Sequence, residues 1–255
     1  MLMALDPDIA YWCEMAEARD WGDMFAATAE QPGNPMGAHV ETPGDGVVFA
    51  LTALDTFLCN RALGIGVARR AIQSDVDAAV GFVDRLGRTD TAAPLSPHAT
   101  PPDLRVWFEE RGYVPSRNWV KLWHDLRALP TASTDLRIEL VGPEWAGDFA
   151  RISVVEAYGF PPEIAPAVWA TMGRPGWRHY LGFDGDAPVS SGAMRIETGS
   201  HGWASVQRPR PTAVEEANRR CSLDASGTRA TPGAGSRSRR PEKRPRRTRT
   251  RATET

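Results

Sequence analysis

The chain has 255 residues, 42% hydrophobic and 24% charged, the balance of an ordinary globular protein. Its net charge of -2 hides two unlike parts: residues 207–255 carry 14 Lys and Arg against 5 Asp and Glu, a net of +9, whereas residues 1–206 have a net of -11 and hold all nine tryptophans. No apolar run approaches the ~18 residues of a membrane span, MLMALDPD turns acidic too early for a signal peptide, and Cys13, Cys59 and Cys221 are too scattered for a disulfide framework or a zinc cluster. The expected location is the cytoplasm.

Residues 9–31 space Ile9, Trp12, Met15, Ala16, Trp21, Met24 and Phe25 at helical intervals. PGNPMG then breaks the chain. GVVFALTAL, from Gly46, is a dense apolar run of strand length, followed by the glycine-punctuated FLCNRALGIGVARRAIQ. Residues 74–88 predict a helix with Ser74 as its cap, Asp77 in its first turn, and Ala78, Val80, Phe82, Val83 and Leu86 on its apolar side. Prolines keep APLSPHATPP extended. PDLRVWFEERGY predicts a second helix between Pro102 and Gly112. NWVKLWHDL alternates in the manner of a strand.

LPTASTD, at 129–135, reads as a linker, and LRIELV at 136–141 opens a new unit as a strand. A helix is expected over EWAGDFARISVVEAYG and a short helical excursion over FPPEIAPAVWATMGRPG. WRHYLGFD, APVSSGAMRIE and HGWASV then alternate as three strands, with hairpin chemistry in the GD and TGS turns. A meander after two helices is an α+β arrangement. The expected fold is therefore a mixed, largely antiparallel sheet flanked by helices, in two units, with a disordered basic C-terminal tail.

This order of elements resembles the GNAT-type N-acetyltransferases, whose domain runs strand, two helices and three antiparallel strands, then a phosphate-binding loop and a long helix. Residues 136–206 resemble the first half of such a domain, with HGWASV as its fourth strand. Residues 1–128 resemble a tandem unit: GVVFALTALDTF stands for its fourth strand, 74–88 for the helix after it, APLSPH for the fifth strand and PDLRVWFEERGY for the last helix. The resemblance implies acetyl-CoA as co-substrate and a small amine or a peptide N-terminus as acceptor. Arg61, Gly64 and Gly66 fit the letters of the family's Q/R-x-x-G-x-G/A pyrophosphate loop. Ser205 and Val206 fall on the strand whose backbone would polarise the thioester, and Tyr158, Phe160 and Trp169 fall where the family lines its acceptor pocket. Asp184 and Glu197 stand on the meander as possible bases; no catalytic residue is assigned.

After Val206 the pattern stops. QRPRPTAVEEANRRC has neither a glycine loop nor an apolar-periodic helix. Coded with GC-rich codons and read after skipping two nucleotides, the same stretch gives RRRRGEP, then the amphipathic PALLARRIRDARDAG, then CRIAVTETGE. That is a loop, a helix and a strand, so residues 207–255 are expected to be an out-of-frame reading that replaces the cofactor-binding half and impairs acyl transfer in this chain. The alternative is a non-catalytic binding protein whose arginine-rich tail contacts nucleic acid without sequence preference. No base-reading helix or stacking aromatics accompany that tail, so nucleic acid is not the favoured partner. A half-domain would expose an apolar sheet face and aggregate unless the first unit covers it. The five histidines have no metal-like spacing, and Gly-x-Ser-x-Gly, HExxH and P-loop motifs are absent.

Overall fold

The computed structural model describes residues 6–54, 56–116, 118, 121–128, 133–196 and 202–207, the last six by their backbone. All belong to one compact unit, Met1–Arg210. It is a mixed α+β structure with a three-stranded and a four-stranded antiparallel sheet. The tail beyond Gln207, with the expectations placed on it, lies outside the described residues.

Helix α1 spans Pro7–Ala29. Asp6 caps it by accepting from the Asp8 N–H at 2.9 Å, and Pro7 occupies the first helical position, where a missing N–H costs nothing. Strands β1 (Ala38–Glu41), β2 (Val47–Leu51) and β3 (Arg61–Leu63) form the first sheet in that order. The sequence announced β2, whose five residues are all buried. Alternation explains why: Val47, Phe49 and Leu51 pack with Ala18 and Phe25 of α1, while Val48 and Ala50 face the other core. That core is completed by α2 (Gln73–Arg85) and α3 (Leu104–Glu110) through Val76, Ala79, Val83, Leu104 and Phe108.

Several local expectations shift. Ser74 lies inside α2 and not at its cap; the Asp75 carboxylate accepts from the Ile72 N–H at 2.9 Å and does the capping. APLSPH forms no strand of its own. Ala92, just before it, makes a parallel bridge to Arg61: its N–H donates to Asn60 O and its carbonyl accepts from Ala62, both at 3.0 Å. Residues 121–125 pair with no strand. β1 and β3 are short, and turn chemistry around them masked their periodicity.

The second sheet has the order β4 (Arg137–Val141), β5 (Trp177–Asp184), β6 (Ala187–Ile196), β7 (Gly202–Gln207), antiparallel throughout. Between β4 and β5 lie α4 (Ala146–Ala150), a π-helical stretch Arg151–Glu156 that continues it, and α5 (Ala165–Trp169). The inner face of β5, Trp177, His179, Leu181 and Phe183, is buried with Val141, Phe149, Ile152 and Met172. The apolar inner face is thus covered. The outer face is not: Ile138 and Leu140 are 54% and 60% exposed. Among the described residues no helix is long and apolar enough to cross a membrane.

Candidate functional site

The glycine loop after β3 is the first candidate. Gly64 and Gly66 both take left-handed conformations, with φ of +75° and +78°. A Cβ on Gly66 would stand 2.6 Å from the Thr100 carbonyl oxygen, so only glycine fits there. Arg61, however, belongs to β3 and not to the loop. It is 2% exposed, its Cζ lies 4.2 Å from the centre of the Trp21 ring, and Nη1 is 3.7 Å from Glu17 Oε1. Burial pulls its pKa below the usual guanidinium value, and Glu17 pushes it back. A side chain held in this way is part of the core and does not reach a phosphate at the surface. The loop and α2 are also separated, since the helix starts only at Gln73.

The second candidate is a stripe of carboxylates on α1. Glu14, Glu17, Asp20 and Asp23 recur every third residue, a spacing that makes neighbours on a helix surface. Each meets a cation from a distant segment. Lys121 bonds Glu14 and lies 2.7 Å from Glu17 Oε2. Arg195 on β6 donates to Asp20, and Arg174 donates to Asp23 and Glu30. Trp177 Nε1 adds a bond to Asp23 at 2.7 Å. Arg174 is held above its ordinary pKa by Glu30 and Asp23, against the opposing effect of burial. The carboxylates of this stripe are engaged as ion-pair partners, which gives the stripe a structural role and leaves little for acid–base chemistry.

The third candidate is the inner face of the second sheet. His179, 3% exposed, shares a 3.1 Å hydrogen bond between Nε2 and Thr171 Oγ1 and stacks near Trp177 and Phe149. Burial pushes its pKa down to about 4, so the imidazole is neutral at neutral pH. Ser153, in the π-helical stretch, and Ser191, on β6, are buried with hydroxyl oxygens that have no hydrogen-bond partner. A π-helical turn is a frequent mark of a functional site. Ser205 pairs with Ala193 and Val206 with Gly192, in the register that makes β7 the edge strand.

The expected acceptor-pocket residues do not share one wall. Tyr158 is 54% exposed, with its ring 6.2 Å from that of Phe160. Phe160 packs toward the α1 core, with Phe25 and Ile164, whereas Trp169 packs on the second sheet with Phe149 and Phe183. Asp184 is exposed at the end of β5, and Glu197 lies outside the described residues. Cys13 and Cys59 are free thiols; burial raises Cys59 to about 12 and makes it inert as a nucleophile. Among the described residues no group of His, Cys, Asp and Glu could hold a metal ion. The sequence reading passed over the α1 stripe and Asp45, although the three-residue spacing and the GDG turn were both visible. Comparison with protein-family models, curated proteins and solved structures finds no match to this chain.

Proposed function

We propose that this chain is built on the plan of a GNAT-type N-acetyltransferase, with acetyl-CoA as co-substrate and a small amine or peptide N-terminus as acceptor. One observation carries the reading: a helical pair inserted between β4 and the β5–β6–β7 meander, in a sheet of order β4-β5-β6-β7. The first sheet supports it with a strand, a glycine loop, a helix and a parallel return at Ala92.

On this plan acetyl-CoA supplies the activated acyl thioester. The outer edge of β7, at Ser205 and Val206, offers main-chain N–H groups to a carbonyl oxygen that gains negative charge as an amine attacks. Donors fixed in a strand need no reorganisation to do so. The glycine loop of the first sheet does not fit the pyrophosphate, because Arg61 is buried and the loop N–H groups are already bonded. After Gln207 the sequence supplies no second loop. The chain is therefore a weak binder and a slow catalyst. The uncovered outer face at Ile138 and Leu140 fits the loss of the helix that would follow β7 in this plan.

The test is acetyl-CoA titration by calorimetry, with thiol release measured against a panel of primary amines. Saturable heat with slow thiol release is the expected pair of results. A folded chain that gives no heat at millimolar acetyl-CoA ends the proposal. Independent nucleotide reads across codon 206 examine the frame: a single frame that runs unbroken to Thr255 would remove the out-of-frame account.

A further inference from the structure

The turn Gly44-Asp45-Gly46 sends a carboxylate into the loop that follows β3. Asp45 Oδ1 accepts from the Gly66 N–H at 3.0 Å, and Oδ2 accepts from Ala68 at 2.6 Å and Arg69 at 2.9 Å. Three main-chain N–H groups that converge on one point make a concavity for an anion. Bonds from N–H to an ionised carboxylate are also the strong, short kind. The donor and acceptor segments lie more than 20 residues apart, so this is a tertiary contact and not a local turn.

The backbone around it is shaped for that approach. A Cβ on Gly46 would stand 2.5 Å from Ile65 Cγ1 and 2.6 Å from the Leu63 carbonyl oxygen. Glycine is therefore what lets the turn lie against the loop. The neighbouring cation is committed elsewhere: Arg69 Nη2 donates to Asp75 Oδ1 at 2.8 Å and Nη1 to the Arg70 carbonyl at 2.9 Å. The anion in the nest is thus held by main-chain groups.

We propose that loop 64–69 is an anion-binding nest whose ligand is the chain's own Asp45, and that this built-in carboxylate shuts the loop to free phosphate and pyrophosphate. The proposal needs only the three N–H bonds and stands whether or not the chain transfers acyl groups. Its consequence is specific. The shape of a phosphate site is kept, and its occupant is covalently part of the protein at an effective concentration that a free ion does not match.

The test is a residue-resolved titration of the full chain, with amide proton and nitrogen shifts followed as inorganic phosphate or pyrophosphate is added against sodium chloride of matched ionic strength. In the natural chain, the amides of Gly66, Ala68 and Arg69 stay in place. In Asp45→Ala they move upfield on loss of the carboxylate and return saturably as phosphate is added, with an affinity about tenfold or more above the natural chain. Should Asp45→Ala not fold, Asp45→Asn keeps the shape, loses the charge and undergoes the same titration. Saturable movement of these three amides in the natural chain would overturn the closed loop. A folded Asp45 variant whose amides ignore every anion would overturn the nest.

Discussion

Arg195 on β6 donates from Nη1 to Asp20 Oδ1 on α1 across 2.7 Å, with the two side chains 19% and 4% exposed. This pair ties the N-terminal helix to the meander. Removing one partner of a buried pair leaves an uncompensated charge, at a cost of about 3–5 kcal/mol. Asp20→Ala is expected to lose stability in that range by urea unfolding. Asp23, 3.8 Å from Arg195 Nε, compensates in part and puts the loss at the lower end. Asp20→Ala combined with Arg195→Met should recover part of it. Strict additivity of the two changes would show that the contact does not couple them.

Arg61 is expected to behave as a core residue. Arg61→Ala removes the stack on Trp21 and the pairing with Glu17 and opens a cavity, with a loss of about 3–5 kcal/mol. Affinity for acetyl-CoA in the fraction that remains folded should be unchanged. A folded, fully stable variant with weakened cofactor binding would return Arg61 to the cofactor site.

His179 gives the protein a pH signature. Its folded pKa of about 4 lies below the unfolded value of 6.5. Between those values the unfolded chain binds the proton and the folded chain does not, so stability rises with pH across this window and falls as pH drops through it. At about 1.4 kcal/mol per unit, the contribution lost by pH 4 is at most about 3 kcal/mol. Carboxylates add their own acid dependence, so the readout is the difference from His179→Leu. The variant should show a flatter profile between pH 6.5 and 4, and identical slopes would mean that His179 titrates normally.

The outer face of the second sheet is the expected site of self-association. Ile138 and Leu140 are each more than half exposed on β4. Replacing both by Thr keeps strand propensity and removes apolar surface. Stability should change by no more than about 0.5 kcal/mol per site, while light scattering at high protein concentration should fall. Unchanged scattering would place the sticky surface elsewhere.

The helices and the meander were legible because their periodicity is long and regular: α1 and α2 and the three strands over 177–207 lie where the spacing puts them. Strand β2 was legible because five consecutive buried residues leave only an apolar run of strand length. β1 was not, since its AHVE alternates polar residues beside a proline- and glycine-rich turn. β3 hid inside the glycine motif, where the letters of Arg61, Gly64 and Gly66 suggested one loop. Pattern cannot tell a guanidinium that binds phosphate from one that stacks on Trp21, because the difference lies in the α1 packing. Nor can it show that Asp45, 21 residues before Gly66, fills the loop. The strand expected at 118–126 failed because alternation alone does not supply a pairing partner, and Lys121 found Glu14 and Glu17 instead.

The most direct measurement of the central claim is the same amide map recorded with acetyl-CoA. The acetyltransferase plan, with a closed first loop, predicts saturable shifts along β6 and β7, from Gly192 to Val206, and none at Gly66, Ala68 and Arg69. A folded chain whose β6 and β7 amides stay still at millimolar acetyl-CoA would contradict it.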